Sequence, residues 1–161
     1  MNFDQAMTQL MRFEGGYSSN PTGQDKGGET NYGITKATAL AFGYTGPMRD
    51  MPRSFAELVY QKAYWSACRC DDLPASIRYD VFDAAVNSGP AQAIKWLQRA
   101  VGVADDGIIG RVTLAACNDT KHINSKFNGQ RLMFMTALPS WGVFGKGWAR
   151  RIADNLMRGA T

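Results

Sequence analysis

Apolar residues return at helical intervals from the start of the chain. Phe3, Met7 and Leu10 lie four and three apart, and the next position on that stripe is Glu14. The pattern predicts a helix over residues 2–14, stopped by Gly15-Gly16. Residues 15–34 have no helical period and read as a turn-rich excursion with room for a short hairpin. Helical patterning resumes near Thr35 and ends at Gly43. Ser54-Phe-Ala-Glu57 has the form of a capping box and opens a helix to about Tyr64. The next helix runs from about Ser76 to Ser88 and is ended by Gly89-Pro90. Pro90 suits the first position of a following helix that carries Ile94, Trp96, Leu97 and Val101 as core and stops at Gly102. DDGIIG (105–110) is a tight turn, followed by a short helix from about Val112 to Cys117 and a longer helical stretch over 120–137. A last amphipathic helix, Trp148–Arg158, sets Trp148, Ile152 and Leu156 on one side and Arg150, Arg151 and Arg158 largely off it. The chain is therefore expected to be mainly α: a helical bundle with one irregular or hairpin insertion.

Composition narrows this picture. With 161 residues, 45% of them apolar and 20% charged, the chain can bury a sizeable core as one compact unit without disulfides or metals. Three cysteines, Cys68, Cys70 and Cys117, form no framework and suit reduced thiols. The opening MNFDQAMTQLMRFEGG is neither a secretory signal nor a membrane anchor, so synthesis in the cytoplasm is expected. The net charge of +4 is unevenly placed: residues 121–161 carry seven Lys/Arg against Asp154 alone, and residues 1–120 carry −2. A basic C-terminal quarter suggests an anionic partner, an envelope or membrane surface among them, or simply a solvated helix face. No nucleic-acid-binding motif accompanies it.

Glu14 is the residue that breaks the pattern. A carboxyl on the apolar stripe faces a core or cleft, where desolvation raises its pKa, and the C-terminal end of a helix dipole adds to that effect. Both keep a proton on the group near neutral pH, as a general acid requires. The other reading is a helix-end glutamate exposed by fraying. In the loop that follows, Asp25 sits among Gln24, Lys26 and Gly27, a polar setting that favours the ionised form, and Thr30 adds a hydroxyl. Two carboxyl groups whose surroundings push their pKa values apart suit cleavage of a glycosidic bond. Glu29 competes for the second role, or simply faces solvent.

FEGGYSSNPTGQDKGGETNYGIT (13–35) resembles the entry motif of the glycoside hydrolase family 108 muramidases, the endolysin and secretion-activator group. The matching positions are Glu14, Gly15, Gly16, Tyr17, Asn20, Pro21, Gly27, Gly28, Thr30, Tyr32, Gly33 and Ile34. The order Glu14, Asp25, Thr30 is also similar to the catalytic triplet of phage-type lysozymes, at a different spacing. FDAAVNSGPAQAIKWLQRAVGVADDGIIGRVTLAA (82–116) resembles the peptidoglycan-binding domain paired with this hydrolase family, with Arg111 where a proline is common. The resemblance implies a lysozyme-like α+β fold whose insertion forms the catalytic cleft, with a catalytic part over 1–70 and a helical peptidoglycan-binding part over 71–161. It implies cleavage of the β-1,4 bond between N-acetylmuramic acid and N-acetylglucosamine, with Glu14 as general acid. Asp25 would stabilise the oxocarbenium-like transition state or position a water with Thr30. A phage or prophage endolysin is the setting it suggests: a monomer, needing no cofactor, that reaches the wall through a holin or another export route. The enzymatic rival is a lytic transglycosylase on the same bond, and the rival of another class is a silent wall-binding or secretion-activating protein.

Candidate sugar contacts follow from that reading. Tyr17 and Tyr32 flank the glycine-rich loop, and Asn31 lies beside them. Trp65, at the end of a helix, either lines the groove or packs. Asp83 and Asn87 share a helical face, where they would hydrogen-bond N-acetyl groups, brace the catalytic loop or serve a helix terminus. Cys68-x-Cys70 with His122, the sole histidine, makes a poor zinc site and lacks any thiol-peptidase signature, so no metal is expected.

Overall fold

The computed structural model describes residues 1–12, 15–19 and 28–159, and contacts divide the chain into two compact units: Asn2–Ala63, and Tyr64–Thr161 with Met1. Among the described residues there are eight α-helices and one two-stranded antiparallel sheet, the expected mainly helical architecture with a hairpin as its insertion.

The N-terminal unit opens with α1 (Phe3–Leu10), which buries Ala6, Met7 and Leu10. Its start is fixed by a capping box that the sequence reading did not include. The Asn2 side chain accepts from the Gln5 N–H and the Gln5 side chain accepts from the Asn2 N–H, both at 3.0 Å. Helix α1 is shorter than the apolar stripe suggested, because Met11 already caps it and the Arg12 N–H turns back to the Gln9 carbonyl. Strands β1 (Thr30–Asn31) and β2 (Ile34–Thr35) pair with Thr30 opposite Thr35 and Asn31 opposite Ile34. The two residues between them, Tyr32 at φ 50° and Gly33 at φ 74°, both take the left-handed conformation that a tight type I′ hairpin demands. Helix α2 (Lys36–Ala41) starts at once, capped by the Thr35 hydroxyl, which accepts from the Thr38 N–H at 3.2 Å.

Helix α3 (Arg53–Tyr60) corrects a second expectation. Pro52, in extended conformation, is its N-cap, so Ser54 lies inside the first turn and caps nothing, and Glu57 pairs with Arg53 at 2.8 Å instead. The helix continues as a π-helical stretch, Gln61–Ser66.

The C-terminal unit is built around α4 (Ala75–Ser88), buried without a break from Tyr79 to Ala85. It packs against α5 (Pro90–Val101), α7 (Ile123–Thr136) and α8 (Trp141–Gly159), while α6 (Arg111–Asp119) lies on α5. Ile94, Trp96 and Leu97 are core and Val101 is half-buried. Helix α8 begins seven residues before the predicted start, despite glycines at 142, 145 and 147. Gly145 has a packing reason, since a Cβ there would meet the Trp141 indole at 2.5 Å. Helix α5 ends as expected at Gly102, left-handed at φ 74°, whose N–H bonds back to the helix carbonyls.

A Cβ at Gly102 would meet nothing within 4 Å, so Gly102→Ala carries a conformational cost alone. We expect a loss of about 1 kcal/mol in urea unfolding. A loss above about 3 kcal/mol would mean that packing, not φ, selects glycine here.

Candidate functional site

Glu14 and Asp25 lie outside the described residues, as do Phe13, Asn20, Pro21 and Gly27 of the motif. Helix α1 ends at Leu10, four residues before Glu14, so its dipole does not extend to that residue as the apolar stripe suggests. What the fold does fix is the ground on the far side of the loop. Thr30 opens β1 and is tied twice to Ser18, N–H to carbonyl in each direction at 2.9 Å. Its half-buried side chain therefore sits on backbone held from two sides.

Two further ties hold the hairpin. Asn31 is buried, and its Nδ2 donates to the Met48 and Arg49 carbonyls at 2.8 and 3.3 Å. The Tyr60 hydroxyl donates to the Tyr32 carbonyl at 2.9 Å. Asn31 thus anchors the hairpin to the 3-10 turn Met48–Asp50, and its donor is occupied by backbone instead of being free for a sugar. Tyr32 occupies the first turn position with its ring half-buried.

Glu29, the competing carboxylate, is engaged on both oxygens. The Tyr17 hydroxyl donates to Oε1 at 2.9 Å and Lys36 Nζ to Oε2 at 3.0 Å. These bonds, Lys36 first and Tyr17 second, hold its carboxyl below the ordinary range. A carboxylate kept ionised in this way is unsuited to proton donation. Tyr17 is held in turn by the Arg49 guanidinium, 5.1 Å from its ring centroid. The structure therefore gathers Tyr17, Thr30, Asn31 and Tyr32 around one hairpin.

Trp65, Asp83 and Asn87 belong to the other unit, and two of them are placed otherwise than a sugar contact requires. Trp65 is 1% exposed and sets its ring edge-on to Phe82 at 5.4 Å, so it is core. Asp83 is completely buried. Its Oδ2 takes Arg131 Nη1 at 2.6 Å and Asn155 Nδ2 at 3.1 Å, and its Oδ1 takes Arg151 Nε at 2.6 Å. Asn87 is exposed, with its Nδ2 bonded to the Asp83 carbonyl at 3.0 Å.

The sequence reading missed the polar cluster around Asp83. Asp80, one turn away, accepts from Asn124 and from Asn128, the latter at 2.9 Å. Arg158 reaches Asn155 at 3.2 Å and lies over the Tyr79 ring at 4.4 Å. A signal existed: Asn124, Asn128 and Arg131 on α7, and Arg151, Asn155 and Arg158 on α8, share the spacing i, i+4, i+7. The two aspartates differ in state. Burial pulls the Asp83 carboxyl upward, but Arg131 and Arg151 overcome it and hold the group below its ordinary value. Burial raises Asp80 to about 7, against the Asn128 hydrogen bond and with help from the Asp83 charge.

The cysteines are packing residues. Hydrogen bonding to Cys68 and burial push the Cys70 thiol far up, and burial lifts Cys117 to about 11. Among the described residues no group of three or more His, Cys, Asp or Glu is arranged to hold a metal ion.

Two measurements check this cluster. Asp83→Ala leaves buried Arg131 and partly buried Arg151 without their shared counter-ion and is expected to cost about 3–5 kcal/mol in urea unfolding. A loss below about 1 kcal/mol would show the cluster to be dispensable. The second concerns pH. The folded Asp80 pKa of about 7 lies above the ordinary carboxylate value of about 3.9, so folding takes up a proton between these values. The resulting stabilisation is full below the lower value and is lost as pH rises through the upper one. Asp83, with a lowered pKa, acts in the opposite sense and only at lower pH. Asp80→Asn should therefore hold its melting temperature better than wild type between about pH 5 and about pH 8.5. Parallel pH profiles would refute the assignment.

Comparison with known proteins adds to this geometry. The family model described as Glycosyl hydrolase 108 matches residues 7–89, a span containing Glu14, Asp25 and the Thr30 hairpin. The chain is also similar to the solved structure of SagA from Brucella abortus, at 36% identity over 98% of this chain and 93% of that one, with a TM-score of 0.86. No curated protein matches it.

Proposed function

The chain belongs to the glycosyl hydrolase 108 family, a family of muramidase-type peptidoglycan hydrolases, and we propose that it is itself an active lysozyme-type enzyme. Its bond is the β-1,4 linkage between N-acetylmuramic acid and N-acetylglucosamine. The observation that carries this reading is the family match across the whole Glu-Gly-Gly-Tyr to Tyr-Gly-Ile segment. The state of Glu29 bears on the second carboxylate: both of its oxygens are already engaged by Tyr17 and Lys36, which favours Asp25 for the role beside Glu14.

In this mechanism Glu14 protonates the glycosidic oxygen as the bond to the leaving sugar breaks. Asp25 balances the positive charge that develops on the ring, or positions the attacking water with the Thr30 hydroxyl. Thr30 suits a positioning role because its backbone is bonded to Ser18 and paired with Thr35. Tyr17 and Tyr32 offer ring faces to the sugars. Residues 1–70 would carry catalysis and residues 71–161 would hold the wall, with exposed Asn87 one of its contacts. The same reading has the protein monomeric, an endolysin brought to the wall by a holin or another export route, its basic C-terminal quarter drawn to the anionic envelope.

Mass spectrometry of fragments released from purified peptidoglycan tests this, with wild type and Glu14→Gln in parallel. Reducing muramic-acid ends are expected from wild type and none from the variant. Anhydro ends, lighter by one water, would make it a lytic transglycosylase. A folded wild type that sediments with the wall and releases nothing would overturn the enzyme reading and leave a binding protein.

A further inference from the structure

Besides Ile108, Val112 and Met157, four exposed apolar side chains of the C-terminal unit lie at the end of the hairpin formed by α7 and α8. Met133 and Phe134, in the last turn of α7, are 72% and 39% exposed, the Phe134 ring also resting edge-on against buried Trp96 at 5.3 Å, and Val143 and Phe144, in the first turn of α8, are 77% and 56% exposed. Behind them Phe144 lies 5.8 Å from Trp148, and Trp148 lies 6.2 Å from Trp141, so the exposed ring is the outermost of an aromatic row. Surface apolar groups scattered singly need no explanation, but a contiguous cluster does.

Along the sequence around this cluster, up to Asp154 one turn beyond Arg150, the charged residues have one sign. No acidic residue occurs between Asp119 and Asp154. Val143, Lys146 and Arg150 follow one another at three and four residues, so they share one exposed face of α8. Arg151, one step round the helix, does not belong to that face because it is bound to Asp83. Arg158, which the sequence placed with the solvent-facing arginines, contacts Asn155 and Tyr79. The outward cations near the apolar cluster are thus Lys146 and Arg150.

Glycine adds a third observation. A Cβ at Gly142 or Gly147 would meet nothing within 4 Å, so packing does not call for glycine at either position. Apart from proline, glycine is the residue least favourable to a helix interior, and two such sites bracket the exposed side chains. The first turns of α8 can therefore re-aim Val143 and Phe144 at small cost.

We propose that the face formed by Met133, Phe134, Val143, Phe144, Lys146 and Arg150 docks the protein on a bilayer surface with anionic headgroups. Aliphatic and aromatic side chains enter the headgroup–acyl boundary while the cations pair with headgroup phosphates, and α8 lies along the surface. Among the described residues no helix is long and apolar enough to cross a membrane. A glycan strand fits this face poorly, since Met133 and Val143 offer a polar polymer no hydrogen bonds. A second copy fits poorly too, because a self-paired face would set Lys146 and Arg150 against their own equivalents. The proposal goes beyond the hydrolase reading and is independent of it.

Vesicle flotation of the full chain tests this, using phosphatidylcholine vesicles with and without phosphatidylglycerol. Wild type and Glu14→Gln should bind the anionic vesicles equally, with a blue shift in tryptophan emission and binding that weakens as salt rises. Val143→Ser/Phe144→Ser and Lys146→Glu/Arg150→Glu should each weaken binding about tenfold or more while circular dichroism stays unchanged. No binding by folded wild type, or binding indifferent to both variant pairs, would overturn the proposal. So would lipid-independent dimerisation lost in Val143→Ser/Phe144→Ser, which would assign the face to a second copy. Retained flotation by inactive Glu14→Gln separates this result from any failure of the hydrolase reading.

Discussion

Three helices of the C-terminal unit meet at one carboxylate. Asp83 on α4 has no solvent exposure, and it receives Arg131 from α7 and both Arg151 and Asn155 from α8. A charge placed there without partners would prefer to be neutral, yet two guanidinium groups at 2.6 Å keep it ionised. The cost of burying three charges is offset only if all of them stay in register. The arrangement therefore constrains α4, α7 and α8 much more tightly than apolar packing, which tolerates small slides. Asn124, Asn128 and Arg158 extend the same network outward to Asp80 and Tyr79.

The N-terminal unit depends on a constraint of another kind. Tyr32 and Gly33 both lie at positive φ, which sets the register of β1 on β2 and with it the height of Thr30. Asn31 and Tyr60 then tie that hairpin to the chain around Met48 and to α3. Glu29 contributes by being ionised and bound, so its carboxylate acts as a strut between Tyr17 and Lys36. These residues hold the hairpin rigid through backbone and side-chain bonds.

Much of this fold could be read from sequence where local covalent geometry decides the outcome. Gly89-Pro90 and Gly102 act through φ alone, and the helix boundaries they mark fall where expected. Boundaries set by competition were harder. The apolar stripe continues past Leu10, but the periodicity carries no information about Met11 as a cap. Ser54-Phe-Ala-Glu57 satisfies the capping pattern, yet Pro52 begins the helix two residues earlier and Arg53 takes Glu57. The cluster around Asp83 was least legible. Polar residues at helical spacing look the same whether they face water or one another, and only the tertiary pairing of α7 with α8 distinguishes the cases. Asp83 and Asn87, four apart, share one helical face in the sequence, but the packing of α8 buries the first and leaves the second exposed.

That hidden pairing also changes what the charge of the chain means. Seven cations against one acid in residues 121–161 suggest a strongly basic surface. Arg131 and Arg151 are spent on Asp83, and Arg158 is turned onto Tyr79 and Asn155. The exposed cations that remain are Lys121, Lys126, Lys146 and Arg150, and the latter two stand beside the apolar cluster at the start of α8. Asp80 fits the same accounting. Arg131 and Arg151 exceed the charge of Asp83 by one, so an ionised Asp80 would neutralise the interior, while burial resists that ionisation and leaves the group poised at about 7. The interior therefore uses its arginines to hold the fold together, and the exposed basic charge of residues 121–161 reduces to two lysines near the start of α7 and the Lys146–Arg150 pair on α8.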